Sequence, residues 1–362
     1  MGPAIVICAD ERGEMNRHRF MTMRFTGNLI AACFVLALYG GCSAPAEPET
    51  GTQIPADPLP SWNDGASKQA IVDFVARVTD PESPDFVPEL DRIATFDNDG
   101  TLWGENPLYF QILFAADRVR ALAPEHPEWA NEQPFKAILE DDREALGGMG
   151  LAEVGTVMAA THAGVSADEF AAAVRGWLDT ARHPRFDRPF DEVIYQPMLE
   201  VLDFLRANGF KTFIVSGGGI EFIRTFSYKA YGIPADQVIG SSAETEFRVD
   251  GERTYVMRLS ELHFNDDKEG KPVAINRYIG RRPIATFGNS DGDFQMLQYG
   301  AGDARASLQV IVHHDDAERE YAYDRDSSIG RLNKALDEAA TWDITVVSMK
   351  DDWNRVFPFD SE

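Results

Sequence analysis

Three apolar segments that each end in a polar cluster constrain the fold of this chain more than any other feature. They are "RIATFD" at 92–97, "KTFIVSGGG" at 211–219 and "RPIATFGNSDGD" at 282–293, and long helical patterns separate the first two. Continuous apolar strands alternating with helices predict a parallel sheet covered on both faces, that is, a doubly wound α/β fold. Because ligands bind beyond the carboxyl ends of such strands, the three polar clusters are expected to form one site.

Shorter patterns complete the predicted core. "LQVIVHHDD" at 308–316 is expected to be a fourth strand, and His313 and His314 near its end are interpreted as surface histidines. The alternation over 245–260 around an Asp-Gly pair predicts a hairpin. The segment 271–280 is expected to be a short helix, because a proline is well placed in its first turn.

Asp97 and Asp99 are two like charges one residue apart at the end of a buried strand. A plain turn would explain them, since Asp, Asn and Gly favour turns. A calcium loop of the EF-hand type fits poorly, because it needs glycine at its sixth position and Gly100 is the fourth residue from Asp97. Phosphoryl transfer fits the three clusters together: a carboxylate attacks phosphorus, a divalent cation cancels the repulsion, and a lysine and backbone N–H groups hold the phosphate.

Four short motifs stand in the order that one enzyme family uses. They are "DNDGT" at 97–101, "VSGGG" with Ser216, Lys271, and "GNSDGD" at 288–293. The chain thereby resembles the haloacid dehalogenase superfamily of phosphohydrolases in its phosphoserine-phosphatase-like branch, over roughly residues 90–315. Within that branch it looks most like secreted or lipoprotein acid phosphatases of bacteria. Dehalogenation itself fits less well, because that chemistry needs neither a second aspartate nor a metal.

The resemblance implies a role for each motif residue. Asp97 would be the nucleophile, and Asp99 would be the general acid that later serves as the base. Ser216 and the backbone N–H of Gly217 would hold the phosphate, and Lys271 would neutralise it.

The implied Mg²⁺ ligands are Asp97, the backbone carbonyl of Asp99, and Asn289. The family usually has aspartate where this chain has Asn289, so we expect weak metal binding that Asn289→Asp would strengthen. Asp293 matches the second acid of that motif and is expected to stand behind the ligands. Asp291 has no counterpart, and Lys268 is the weaker candidate for the phosphate-neutralising lysine.

The resemblance also divides the chain. Residues 62–107 and 196–362 would form the core, with its Rossmann-like sheet, and the helical insert 108–195 would form a cap that closes over the site and shapes substrate choice. Glu105 and Tyr109, with Asn106 between them, follow the first motif and are candidate substrate contacts. An equally weighted interpretation is that they merely open the first cap helix.

The N-terminal segment has the pattern of a secretory signal. Arginines precede the apolar run 29–38, and small residues lead to Cys42, as in the lipobox of bacterial lipoproteins. Residues 1–42 are therefore predicted to be a signal peptide, and the Pro-rich segment 43–61 a flexible tether. All three cysteines lie within the first 42 residues, so the remaining chain has no thiol with which to form a disulfide.

The net charge of −25 argues against a nucleic-acid partner and against adhesion to anionic membranes. The predicted function is that of a Mg²⁺-dependent phosphomonoester hydrolase, that is, a phosphatase. It is expected to take the phosphoryl group from a small phosphorylated substrate and form an aspartyl-phosphate intermediate on its own Asp97. The alternatives are a phosphomutase on the same core and a non-catalytic envelope lipoprotein that binds a phosphorylated ligand. The protein is expected to be exported to the cell envelope, periplasmic or on the outer surface, and to touch membrane only through an N-terminal lipid anchor.

Overall fold

The computed structural model describes residues 57–142, 145–146, 149–302 and 305–361. Its strands are β1 (Ile93–Phe96), β2 (Lys211–Gly219), β3 (Val238–Asp250), β4 (Arg253–Phe264), β5 (Ala285–Gly288), β6 (Leu308–Asp315), β7 (Ala322–Tyr323) and β8 (Ile344–Ser348). Within the described chain they form one sheet in the order β4–β3–β2–β1–β5–β6–β7, with β8 beside β6.

The centre of the sheet is parallel, as the sequence predicted. Phe96 at the end of β1 lies opposite Ile214 on β2 and Phe287 on β5. The β5–β6 and β6–β8 pairs are parallel as well. Since β1, β2 and β5 are neighbours in matched register, their carboxyl ends meet at one edge of the sheet.

Both faces of this central sheet are covered. Every residue of β1 and β5 is buried. Ile214 packs in the main hydrophobic cluster, whereas the next residue, Val215, packs in a different cluster on the other side. The predicted doubly wound α/β class with a Rossmann-like parallel sheet is thus confirmed.

Helices connect the strands. They are α1 (Ala66–Thr79), α2 (Phe110–Leu122), α3 (Phe135–Leu139), α4 (Leu151–His162), α5 (Ala167–Thr180), α6 (Gln196–Ala207), α7 (Ile220–Arg224), α8 (Ser227–Tyr231), α9 (Gly270–Ala274), α10 (Phe294–Ala301), α11 (Lys334–Asp337) and α12 (Met349–Asp352). The helix predicted over 271–280 is α9 continued by a π-helical turn, Ile275–Ile279.

The insert between β1 and β2 contains helices α2 to α5. Part of it has a hydrophobic cluster of its own, which includes Val119, Trp129 and Phe135. Phe114 of α2 and Phe170 of α5 instead pack in the main cluster. The insert is therefore joined by buried apolar contacts to the hydrophobic cluster that packs on the sheet. Its remaining helices pack around a separate hydrophobic cluster.

The predicted hairpin is confirmed and is longer than expected, since β3 and β4 together span 238–264. β4 also pairs with the insert: the N–H of Arg258 donates to the carbonyl of Val165, and the N–H of Gly164 donates to the carbonyl of Arg258, both at 3.0 Å. The hairpin thus ties the insert to the edge of the sheet.

Two packed regions escaped the sequence interpretation. β8 extends the parallel sheet beyond β6. At the other end of the described chain, Leu59 is fully buried and the Ser61 hydroxyl donates to Glu200 at 2.6 Å, so packing begins before Trp62. The predicted signal peptide, 1–42, and most of the predicted tether, 43–56, lie outside the described residues. Among the described helices, none is long and apolar enough to cross a membrane.

Candidate active site

The turn after β1 presses against the end of β5. The backbone N–H of Asp97 donates to the carbonyl of Phe287 at 2.9 Å. Gly100 has a φ of +72°, and a Cβ at that position would lie 2.0 Å from Nδ2 of Asn289. Glycine is therefore required both for the backbone conformation and for the close approach of the two loops.

Lys271 lies at the centre of the candidate site and is 2% exposed. Its Nζ donates to Oδ1 of Asp97 at 2.6 Å, to Oδ1 of Asp293 at 2.7 Å and to the carbonyl of Val215 at 2.7 Å. Three short bonds use all three donors of the ammonium group. The side chain of Lys268, by contrast, is exposed, so Lys271 is the lysine that the structure brings to Asp97.

The site holds several buried carboxyl groups, those of Asp97, Glu105 and Asp293 among them, around one buried cation, Lys271. Burial raises the pKa of Asp97 well above its usual range, and the neighbouring charge of Asp293 raises it further, against the opposing effect of Lys271. Burial also disfavours the charge of Lys271, but the carboxylates of Asp293 and Asp97 outweigh it and raise its pKa. Lys271 is accordingly charged, and the site favours any further cation that it can hold.

Asp99 is held by an indole. Trp103 Nε1 donates to Asp99 Oδ1 at 2.8 Å. Burial is the largest cause of the raised pKa of Asp99, and the hydrogen bond from Trp103 opposes it. A Cβ on Gly218 would lie 3.4 Å from Asp99 Oδ2 and 3.3 Å from Ser216 Oγ. The second carboxylate oxygen of Asp99 therefore borders the glycine loop after β2.

The glycine loop is supported from the insert. Ser216 is buried and its hydroxyl accepts the N–H of Gly218 at 3.1 Å, whereas Gly217 is exposed. The N–H of Gly219 donates to Oε1 of Gln111 at 2.7 Å. Loop and insert thus meet directly beside the candidate phosphate position.

Gln111 is oriented in turn by His162, whose ring nitrogen Nε2 lies 3.3 Å from Gln111 Nε2. The hydroxyl of Thr161 donates to the carbonyl of Val157, so it accepts from His162 Nδ1 at 2.7 Å. Nε2 of His162 is therefore the acceptor. Burial lowers the pKa of His162 to about 3, so the ring is neutral.

Asn289 joins the first and third polar clusters. Its Oδ1 accepts from the Thr101 hydroxyl at 3.2 Å, and its Nδ2 donates to Glu105 Oε1 at 2.7 Å. Asp293 lies behind it, where Oδ2 accepts the backbone N–H groups of Asn289 and Ser290, each at 3.0 Å. Asp293 thereby orders the loop that presents Asn289.

Asp291 has a structural position. Its Oδ1 accepts the backbone N–H groups of Asn333 and Ala335 at 3.1 and 3.0 Å, and its own N–H donates to Arg331. The carboxylate that the sequence left unassigned therefore orders the start of α11.

The interpretation of both C-terminal histidines as surface residues is wrong for His314, which is 2% exposed. Its Nε2 donates to the carbonyl of Gly100 at 2.8 Å, and its Nδ1 lies 3.3 Å from Glu320. His314 thus braces the turn after β1. His313 is partly exposed, beside Asp324.

The two candidate substrate contacts are largely buried. Glu105 is 2% exposed, and burial raises its pKa well above the usual range. Its Oε1 also accepts the hydroxyl of Tyr323 at 2.7 Å. The hydroxyl of Tyr109 accepts the N–H of Gly330 at 3.3 Å, and burial raises its pKa. Both side chains contact the C-terminal segment, which the sequence analysis did not connect to the site.

Asp97, Asp99 and Asn289, which follow the ends of β1 and β5, carry the oxygen atoms that the sequence predicts as metal donors. In the described part of the chain, no group of three or more His, Cys, Asp or Glu side chains is arranged to hold a metal ion. Here the third donor is an amide, and all donors are oxygen, which suits a hard cation such as Mg²⁺. Among the described residues, the buried carboxyl groups of the site outnumber its one buried cation, Lys271, which also favours the binding of a metal cation.

Trp103, Gln111 and Tyr323 are site residues that the sequence analysis missed. Trp103 stands four residues after Asp99, so its position in the first turn was a usable signal. Gln111 and Tyr323 reach the site from an inserted helix and from a two-residue strand, and no local pattern marks them.

Comparison with protein families gives a match. The family model of haloacid dehalogenase-like hydrolases matches residues 94–298, more than half of the chain. Comparison with curated proteins gives no match.

Solved structures with a related arrangement are distant. A conserved functionally unknown protein from Anaerococcus prevotii DSM 20548 is 16% identical with a TM-score of 0.44, over 72% of this chain and 89% of that one. A protein of unknown function from Bordetella pertussis Tohama I is 17% identical with a TM-score of 0.44, over 71% and 97%. A phosphoserine phosphohydrolase-like protein from Francisella tularensis subsp. tularensis SCHU S4 is 16% identical with a TM-score of 0.37, over 69% and 98%. Likenesses this distant say nothing of substrate.

Proposed function

Because the chain belongs to the haloacid dehalogenase-like hydrolases, we propose that it is a Mg²⁺-dependent phosphatase of small phosphomonoesters. One observation carries the proposal: a buried carboxylate, Asp97, is held by a buried lysine at 2.6 Å, and a second carboxylate, Asp99, borders the glycine loop. That arrangement supports the assignment of Asp97 as nucleophile, Lys271 as the cation and Asp99 as the proton carrier.

Asp97 supplies the nucleophile. Its Oδ1 is bound to Lys271, which leaves Oδ2 to attack the phosphorus. A bond forms between Oδ2 and phosphorus as the bond from phosphorus to the leaving oxygen breaks. Lys271 offsets the charge of the phosphoryl oxygens, which otherwise repel the attacking carboxylate.

Asp99 moves the proton. Trp103 binds its Oδ1, and its Oδ2, which borders the glycine loop, would protonate the leaving oxygen. Burial keeps the pKa of Asp99 raised, which favours the protonated form that this step needs. In the second half of the reaction, a water molecule attacks the phosphorus of the aspartyl-phosphate, and Asp99 Oδ2 accepts a proton from that water. The bond between phosphorus and Asp97 breaks, which releases the Asp97 carboxylate and inorganic phosphate.

Asp97, the backbone carbonyl of Asp99 and Asn289 would hold Mg²⁺, which supplies charge neutralisation for the phosphoryl group when bound. The Ser216 hydroxyl and the backbone N–H of Gly217 would bind the phosphate. The insert would cover the site and select the substrate, with Gln111 as its contact to the loop. These assignments make the protein phosphoserine-phosphatase-like in mechanism.

We also propose export and lipidation at Cys42, which rests on the sequence pattern alone. Incorporation of labelled fatty acid into the full chain, lost in Cys42→Ser, is the expected result. Equal labelling of the two proteins would refute it.

The function is tested by release of phosphate from p-nitrophenyl phosphate by the full chain. We expect turnover with Mg²⁺, none with excess EDTA, and none in Asp97→Asn. Turnover that persists in EDTA, or in Asp97→Asn, would refute the mechanism, and no turnover on any of a broad panel of phosphate esters would favour a binding protein instead.

A further inference from the structure

Glu105 is a buried acid of the site that the proposed mechanism does not use, and it is 2% exposed. Its Oε1 accepts two hydrogen bonds, from Asn289 Nδ2 and from the Tyr323 hydroxyl, each at 2.7 Å. Glycines with positive φ lie on two sides: a Cβ on Gly100 would lie 2.4 Å from Oε1, and one on Gly330 would lie 2.0 Å from it. Three separate segments of the chain thus converge to enclose this one oxygen atom.

The contact decides which way the Asn289 amide faces. With Nδ2 donating to Glu105, Oδ1 is turned to the Thr101 hydroxyl on the side of the first motif. The opposite orientation would bring the amide oxygen to 2.7 Å from a carboxylate oxygen, and two acceptors at that distance repel. Glu105 therefore selects the orientation in which the amide oxygen of Asn289 faces Thr101 of the first motif.

We propose that Glu105 is a positioning residue for the metal site. It orients Asn289 through the amide nitrogen, and, ionised when a cation is held beside it, it contributes through Asn289 the negative charge that a ligating aspartate would carry. The proposal rests on the proposed function, because it presumes that Asn289 binds Mg²⁺. The hydroxyl of Tyr323 also donates to Glu105 and holds it in place. A residue from the C-terminal segment thus acts, through Glu105, on the proposed metal ligand Asn289. Groups behind metal ligands commonly control metal affinity in this way.

The arrangement reverses the expectation for Asn289→Asp. From the sequence, this change promised a stronger metal site. In the structure it places an introduced carboxylate where the amide nitrogen now lies 2.7 Å from Glu105 Oε1. Two buried carboxylates at that distance repel, so the single substitution should weaken the site or the fold.

The test exchanges the carboxylate of Glu105 and the amide of Asn289. Mg²⁺ binding to the metal-free full chain is measured by titration calorimetry for the wild type, Glu105→Gln, Asn289→Asp and the double variant. Glu105→Gln should bind Mg²⁺ roughly 10–100-fold more weakly. The double variant should recover much of the loss in both single variants, because the glutamine amide can donate to the introduced aspartate and to the Tyr323 oxygen. Glu261→Gln on the exposed hairpin changes net charge equally and should not alter binding.

Urea unfolding in EDTA shows which variants are folded. If Glu105→Gln does not fold, Tyr323→Phe takes its place, since it removes one of two donors to Oε1 and should weaken Mg²⁺ binding in the same direction. If the folded Glu105→Gln or Tyr323→Phe protein binds Mg²⁺ with wild-type affinity, the inference is overturned. It is also overturned if the double variant binds Mg²⁺ no better than either single variant. In both cases the proposed phosphatase function of the wild type would stand. A wild type that neither binds Mg²⁺ nor hydrolyses phosphate esters overturns the proposed function, and this inference with it.

Discussion

Replacing Lys271 by methionine is the perturbation whose cost the structure defines most clearly. The substitution keeps an unbranched apolar side chain but removes the charge and all three hydrogen bonds of 2.6–2.7 Å. Asp97 and Asp293 are then left buried with no cation between them. Removing one partner of a buried ion pair costs roughly 3–5 kcal/mol, so we expect the free energy of unfolding to fall by about this amount at neutral pH.

Urea unfolding in EDTA measures this cost. Lys268→Met, at an exposed neighbour, is the matched control and should change stability by less than about 0.5 kcal/mol. Adding Asp293→Asn to Lys271→Met removes one of the two facing charges and should restore part of the loss. A loss below about 1 kcal/mol in Lys271→Met, as for a surface pair, would refute the buried triad.

The loss should also depend on pH. Burial already raises the pKa of Asp97 in the wild type, and without Lys271 nothing opposes that shift. A carboxyl whose pKa is higher in the folded state destabilises the fold above that pKa, and the cost disappears as the pH falls through it. The difference between variant and wild type should therefore shrink from neutral pH toward about 4. A difference that grows on acidification would contradict the assignment.

The remaining predictions concern the other acids of the site. Asp99→Asn should lower the rate by roughly 10²–10⁴-fold and most for poor leaving groups, so an equal loss across a series of aryl phosphates would argue against a general acid. Trp103→Phe removes a hydrogen bond that lowers the pKa of Asp99, so the alkaline limb of the pH–rate profile should move to higher pH, and an unmoved limb would show that the indole is only packing. Asp291→Ala should lower the free energy of unfolding by about 1–2 kcal/mol without changing the Mg²⁺ needed for half-maximal rate, whereas a changed requirement would place this acid at the metal.

The meeting of the three polar clusters was predictable because it follows from backbone rules. Apolar runs specified β1, β2 and β5, and neighbouring parallel strands place their carboxyl ends at one edge. Lys271 was assigned through the family resemblance, and the short helix after it favoured it over Lys268. The structure brings it to within 2.6 Å of Asp97. The structure accordingly places Asp97, Ser216, Lys271 and Asn289 around one point.

The partners of these residues were not predictable from local pattern. Glu105 and Asn289 are 184 positions apart, and Glu105 and Tyr323 are 218 apart, so their contacts depend on how whole segments pack. The sequence left Glu105 as either a substrate contact or the start of a helix. Its burial against Asn289 is a tertiary property that neither periodicity nor a motif encodes.

His314 shows the same limit from the opposite direction. His314 follows an apolar run near the predicted site, a position that suggests an exposed side chain. In the structure, however, β7 and β8 both pair with β6 and cover the end of the strand that carries His314. β8 itself has five residues, of which only Ile344, Val346 and Val347 are apolar, so no continuous apolar run marks it as a strand. Such short strands are specified by the sheet edge that they join.

The most direct test of the central claim is chemical identification of the phosphorylated residue. The full chain is mixed with a phosphomonoester and Mg²⁺, quenched in acid and reduced with borohydride, which converts an aspartyl-phosphate to homoserine. Mass spectrometry of the digested chain should find homoserine at position 97, and only when both substrate and Mg²⁺ were present. Rapid turnover with an unmodified Asp97, or modification at another residue, would contradict the account.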